Sequence, residues 1–521
     1  MGWACRDIDR LPRPPPDRSP AIIPRPPSST NPGSSVTDVD ESPRIPRTLH
    51  HGVLVFAMLR EELGNRHLGG TVRYLGVAIL RMDIKGSSVS SVMGFVSAAS
   101  VFRISRYRYP SHICLFSIKM GQQNSRPVFD SKLTKSHVEH ALIQQDGRHN
   151  DIPTVLATLL FLDASPEMLK HAYRCRKDSL HTWTPSPGSI TDEATKTALL
   201  GDKRFQRAFM TYFSLLNNQY NSNSTALALS QLFSGPIPLV YGLFSSLGLP
   251  LTFLSDGIEL RSAILVAQSL TLSAVDWQPG IYDLLTSSQL ARPASELLGP
   301  EELLRRVAYD GRFSGVMKGG AGYHNISQIL SNSSARTAVV EYVQQLDCRN
   351  LSLLLPQLAS LSVLLLTATH KPERPAFDFY LAHLVTAVNS LRVVLSILEE
   401  GTQRVVVARG VWLLFVLVYV TQLRPVVDGE LLMGMELQEG HDWRAVYDVF
   451  CNEGGTGQGR WGNGPWLRVM RTLFELGREF DGEGNGGVCL RGAWKMVGYW
   501  SGWTGLGGEG GGRDGGLNIR L

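Results

Sequence analysis

The sequence predicts an all-α protein: one large multi-helix domain between two disordered tails. Three observations carry that prediction. From about Leu133 onward apolar residues recur every three or four positions. Segments that alternate with period two are few, so strands are a minority. Helix start signals, a cap residue followed by proline or an acid, punctuate the chain. A hydrophobic share of 43% is ample for a core.

In order, residues 1–48 read as a disordered, passive tail. Eleven of the 28 prolines fall between Pro12 and Pro46 among Arg, Ser and Asp, and such a segment cannot bury enough apolar surface to fold. Residues 49–125 mix short apolar runs, Gly52–Leu59 and Tyr74–Leu80, with Arg, Ser and Gly. No period dominates there, and a mis-set gene start or a retained intron would produce such a stretch. The helical domain spans 126–500. His137 and His140 are three apart, so on a helix both imidazoles leave one face. His149 follows a loop with Asp146 and Gly147; Asp151 is placed to cap the next helix, where Pro153 is tolerated in the first turn. Positions 152, 155, 156, 159 and 160 give that helix a buried stripe, and Ser165-Pro166-Glu167 starts another.

Thr191 is the expected N-cap of a short helix. In Asp202–Tyr220 an aromatic stripe, Phe205, Phe209, Tyr212, Phe213, Leu216 and Tyr220, reads as core. Further helices are expected at Gly257–Val275, Ser334–Leu346, Leu351–Ala368, Asp378–Leu398, Val405–Thr421 and Trp466–Phe480. After Tyr499 the chain is mostly glycine, and 501–521 reads as an unstructured tail.

Composition narrows the function. The net charge is +5, with no dense basic run and no basic patch interleaved with aromatics, which argues against a nucleic-acid partner. Six scattered cysteines without a C-x-x-C pair indicate reduced thiols and a cytoplasmic protein. Met1–Arg10 is polar, unlike a secretory signal, and Arg6 stands where myristoylation wants Ser or Thr. The apolar run Val411–Val420 is shorter than the roughly 20 residues of a membrane span, so a buried core helix is expected.

The chemistry-bearing residues are histidines. His370 sits at a helix end, where a cation suits the dipole, and His383 lies on an apolar helix face; alone, each has a structural explanation. Gathered with His137, His140 and His149 they would make a multi-histidine site suited to Fe, Cu or Zn, and spacing leaves that convergence open. Gly457–Gly462 matches G-x-G-x-x-G by letter but lies in a Gly-rich loop without a β-α-β unit. With no Walker motif, G-x-S-x-G or H-E-x-x-H, a classical flavin or nicotinamide fold is not indicated.

Several short segments carry a family resemblance. They are His137-Val138-Glu139-His140, His149-Asn150, Asp163-Ala164-Ser165-Pro166, Gly201-Asp202-Lys203-Arg204-Phe205 and Gly257-Ile258-Glu259-Leu260, then Asp310-Gly311-Arg312-Phe313, Ala368-Thr369-His370-Lys371 and Asp378-Phe379-Tyr380-Leu381-Ala382-His383. In this order, over about 133–500, the chain resembles the fungal questin oxidase family. The resemblance implies an α-helical oxidoreductase of secondary metabolism that uses O2 in Baeyer–Villiger-type opening of an aromatic polyketide such as an anthraquinone. It implies NADPH as co-substrate and histidine-bound non-haem iron. The site it carries over is His140, His149, His370 and His383 as metal ligands, with His137 and Glu259 as catalytic residues beside them. The chain departs from the family at His149-Asn150-Asp151, where members resemble H-N-H, and at Leu249 and Phe253, where members tend to show H-P-x-x-H. An inactive relative that binds a polyketide and a helical scaffold are the competing readings.

Overall fold

The helices begin where proline and cap side chains allow. The structure, a computed structural model, describes residues 112–290, 296–370, 376–399, 401–452, 463–482 and 486–505. The N-terminal tail, most of the unassigned 49–125 stretch, Gly457–Gly462 and positions 506–521 lie outside the described residues.

Helix α1 spans His112–Glu139, α2 Ile152–Phe161 and α3 Pro166–Lys177. The Ser165 hydroxyl accepts from the Met168 amide at 3.3 Å, with Pro166 at the first helical position and Glu167 in the first turn, as expected. At the start of α2 the roles differ from the expectation. Asn150 Oδ1 takes the Ile152 amide at 3.0 Å, while Asp151 makes no cap bond and pairs with Arg176 at 3.2 Å. Helix α4, Glu193–Ala198, is capped by Asp192 and not Thr191; the carboxylate takes the Thr195 amide at 2.7 Å. A 3₁₀ turn, Lys203–Phe205, leads into α5, Gln206–Gln219, whose Phe209 and Phe213 are fully buried, so the aromatic stripe is core.

Helix α6 is Ser224–Phe233, α7 Leu249–Glu259 and α8 Ala263–Val275. The single helix expected from Gly257 onward is therefore two, broken where Arg261 takes a left-handed φ of 48°. Then come α9 Pro279–Leu290, α10 Pro300–Tyr309, α11 Ile326–Ser331, α12 Ser333–Gln344 and α13 Leu351–Thr367. Helix α14, Phe379–Leu395, is capped by Asp378, which accepts the Tyr380 and Leu381 amides at 2.8 and 2.9 Å. It is followed by α15 Thr402–Thr421, α16 Gly429–Met433, α17 Trp443–Asn452, α18 Gly464–Phe480 and α19 Val488–Tyr499.

The glycine-rich end is not all tail. Strand β1 (Phe377–Asp378) pairs in parallel with β2 (Trp503–Thr504), Phe377 opposite Trp503. This lays residues 500–505 across the start of α14.

Among the helices α14 is central, packing on α7, α13, α15 and α18, while α7 packs on α8 and α5 on α8. Helix α15 is apolar on all sides because it is enclosed on all sides; Val406–Val420 is buried almost throughout. At 20 residues it is long and apolar enough to cross a membrane by length and composition, so the shortness argument fails. Burial instead identifies it as the core helix that the sequence suggests. The described residues belong to one compact unit.

Candidate functional site

The polar groups of the candidate site stand at helix ends: His149 before α2, Lys203 before α5, Ser246 before α7, Asp276 at the end of α8 and His383 near the start of α14. His149 precedes α2 in an isolated antiparallel bridge with Ile143. Its Nε2 lies 2.6 Å from Oδ2 of Asp276, the C-cap of α8, whose side chain is 1% exposed. A carboxylate can only accept, so His149 carries its hydrogen on Nε2, and Nδ1 holds the lone pair of the neutral ring. Burial alone would raise the Asp276 carboxyl, but the His149 bond and charge, with Lys203 at 3.3 Å and the Ser246 side chain, hold it below the usual carboxylate range. Lys203 comes from the turn before α5. Ser246 comes from a turn in which Ser246, Leu247 and Gly248 are all left-handed (φ 46°, 61° and 75°). A β-position-bearing leucine with φ above zero is a backbone outlier, and such strain concentrates at functional sites.

His383 stands one turn into α14. Its Nδ1 is 2.8 Å from the Phe379 carbonyl and must donate there, which leaves the Nε2 lone pair available. Burial foremost, with smaller contributions from Arg468 and His149, lowers its pKa to about 4 against the opposing pull of that carbonyl.

Around His383 runs a half-buried aromatic wall. Phe379 meets His383 edge-on at 4.6 Å, Trp503 meets Phe379 at 5.8 Å, and Trp500 meets Trp503 at 4.7 Å. Tyr380 and Tyr323 continue it, 6.0 Å apart. Behind the wall, Phe377 and Trp466 are buried. The Trp503 indole donates to Asn463 Oδ1 at 3.0 Å, the same oxygen that caps α18, so the 500–505 segment is tied to α18 as well as to β1.

Beneath lies a buried ion-pair layer between α7 and α18. Asp256, fully buried, accepts from Arg468 at 2.5 Å and from Arg471 at 3.2 Å; Arg471 also reaches Glu259 at 2.6 Å. Arg392 of α14 stands 3.6 Å from the other Glu259 oxygen. The Arg471 guanidinium rests 3.5 Å above the Phe161 ring.

The six residues expected from the sequence are therefore distributed. His149 pairs with Asp276, and His383 stands on α14 against the aromatic wall. Glu259 lies in the ion-pair layer, both oxygens engaged by arginines. His137, in the last turn of α1, has its pKa lowered by burial; Nδ1 lies 2.9 Å from the Leu133 carbonyl and Nε2 2.7 Å from the Gln268 side-chain oxygen. His140 is past the end of α1, bridged to Thr182, and does not share a helical face with His137. Its nearest charge is Glu139 at 3.8 Å, and burial lowers its pKa despite that acid. His370 stacks on Phe377 at 4.3 Å and against Tyr499 at 5.6 Å.

Among the described residues no three His, Cys, Asp or Glu side chains are grouped to hold a metal ion. The four histidines read as iron ligands do not fit a shared iron: His149 faces Asp276, His140 faces Glu139 and His370 is stacked between rings. Nor do the described residues contain a β-α-β unit for a dinucleotide; their one sheet has two strands of two residues each. Leu249 and Phe253 lie on α7, Phe253 buried in the core. Sequence reasoning missed Asp276, Ser246, Arg468 and Arg471. Lone polar residues in apolar helices form no motif, and only a buried charge in an apolar run, as at Asp256, could have signalled them. A groove of ≈ 710 Å³ between α10 and α13, lined by Glu301, Glu302, Arg305, Gln357 and Ser360, includes none of the histidines.

A search of the curated proteins returned no match. Residues 148–455 match the family model described as questin oxidase-like, a span that includes His149, Glu259, Asp276, His370 and His383. More than half of the chain is covered, and the chain belongs to the questin oxidase-like family as an oxidoreductase of that family.

Proposed function

We propose that the protein oxidises a flat aromatic polyketide of the anthraquinone class with O2, drawing two electrons from NADPH, in a Baeyer–Villiger-type insertion. In such a reaction one oxygen atom enters the substrate next to a ring carbonyl, the other leaves as water, and NADPH becomes NADP⁺. The observation that carries the reading is the aromatic wall around His383, with the His149–Asp276 pair as the acid–base group of the same fold. The wall of Phe379, Tyr380, Trp500 and Trp503 suits a planar ring system by stacking and by excluding water.

The residues divide the proton work. His149 takes a proton at Nδ1, and the buried Asp276 carboxylate stabilises the imidazolium and fixes the ring. His383 accepts a hydrogen bond from a substrate hydroxyl at Nε2; with a pKa near 4 it stays uncharged near neutrality. His137 and Glu259 support the site, one by locking α1 to α8, the other by fixing Arg471.

A second reading is favoured by Leu249 and Phe253: a relative that binds the polyketide without turning it over. Oxygen-electrode and NADPH-absorbance assays with a hydroxyanthraquinone separate the two. Turnover that is lost in His149→Ala supports the first reading. Binding of the quinone with neither oxygen nor NADPH consumed supports the second.

A further inference from the structure

The ion-pair layer under the aromatic wall is unbalanced. It contains three cations, Arg392, Arg468 and Arg471, and two carboxylates, Asp256 and Glu259. The partners are short of charge and not of contact: Asp256 already serves two arginines, and Glu259 serves the other side of Arg471 and Arg392. Arg468 and Arg471 are both more than nine-tenths buried, and the Nε–H of each has no acceptor. Water cannot screen the surplus there as it does at a surface.

Helix α14 packs directly on α18, Trp466 of α18 meets Trp500 of the wall at 5.9 Å, and Arg468, two residues further along α18, acts on the His383 ring. The nearby acids are committed elsewhere: Asp276 to His149 and Lys203, Asp378 to the first amides of α14. The other charge from the α8 side, Lys203, is balanced by Asp276. A ligand lying on the aromatic wall therefore meets a positive field in a partly desolvated place.

We propose that this site takes its aromatic ligand as an anion, a ring phenolate or carboxylate, whose charge completes the balance of the Arg392–Arg468–Arg471 layer. The inference rests on the aromatic wall being the substrate site, and it adds the ionic form in which the substrate binds. It has a chemical consequence. A phenolate is far richer in electrons than its phenol and gives them up more readily to oxygen, so the arginine layer would select the reactive form as well as bind it. Arg468 acts here as a specificity residue, without contact to the reacting atoms.

The test uses two probes of one shape, 2-naphthoate and 2-naphthamide, titrated calorimetrically against the full chain at neutral pH. The expected result is tighter binding of the carboxylate by about tenfold or more, corresponding to about 1.4 kcal/mol. That preference should fall to within about threefold in Arg468→Met. Arg392→Gln, at the outer edge of the layer and thus compatible with folding, should reduce it partway. Binding of 4-nitrophenol at a pH one unit below its own pKa should show the phenolate absorbance band. An amide that binds as well as the carboxylate, a preference unchanged in Arg392→Gln and folded Arg468→Met, or no binding of either probe overturns the proposal. Because neither probe is oxidised, these outcomes are independent of whether a quinone is turned over.

Discussion

At the scale of single residues, the two histidines given the proton work differ in kind. His149 is tied to a buried carboxylate, whereas His383 is tied only to a carbonyl and faces arginine. Asp276→Asn keeps the shape of the first pair but reverses its hydrogen-bonding demand and removes the counter-charge. Turnover should fall about 10²–10⁴-fold with little change in melting temperature, measured as NADPH oxidation beside a thermal scan. His383 makes a stability prediction with a definite sign. Its folded pKa of about 4 lies below the unfolded value of 6.5, so the folded state binds fewer protons between these pH values. The stability of the neutral ring is complete above pH 6.5 and is lost as pH falls toward 4, by about 3 kcal/mol in all. His137, also lowered by burial, acts in the same direction. Denaturant midpoints of wild type and His383→Gln should diverge between pH 7 and 4, the variant falling less; parallel curves would remove His383 from that role.

At the scale of elements, much was legible and the reasons are specific. Ser165 before Pro166, Asp378 before Phe379, and the unbroken apolar run of α15 are local signals, and the helices start or bury where those signals stand. The errors arise where two side chains compete for one job. Asn150 displaced Asp151 as the capping group because Arg176 claimed the aspartate, and Asp192 displaced Thr191. The break between α7 and α8 at Arg261 has no glycine or proline to announce it. The candidate site was legible only in part, because the partners of His149 and His383 lie 127 residues away at Asp276 and on α18, distances that no spacing rule spans. The turn before α7 matters for the same reason. Gly242, in the 3₁₀ segment Leu239–Phe244, lies so close to the Ser273 carbonyl of α8 that a Cβ would come within 2.1 Å of a backbone oxygen. Gly242→Ala should therefore destabilise by about 3 kcal/mol and loosen the Ser246 turn against Asp276, seen as a lower denaturant midpoint and reduced turnover together.

At the scale of the whole molecule, the described helices are organised about α14, and the polar groups it faces are concentrated on one side, against α7 and α18. Asp256 holds that side together. Asp256→Asn leaves two buried arginines short of a counter-charge and should cost about 3–5 kcal/mol, against the fraction of a kilocalorie expected for an exposed pair such as Arg349–Asp347. Equal losses in Asp256→Asn and Asp347→Asn, compared by urea unfolding, would contradict a structural role for the buried layer. The central claim is that His149 and His383, with the aromatic wall, carry an oxygen-consuming oxidation. Oxygen uptake by the wild-type chain and by folded His383→Ala, with a hydroxyanthraquinone and NADPH, tests it most directly. The account predicts quinone-dependent uptake in the wild type and a loss of at least a hundredfold in the variant; equal uptake in the two would contradict it.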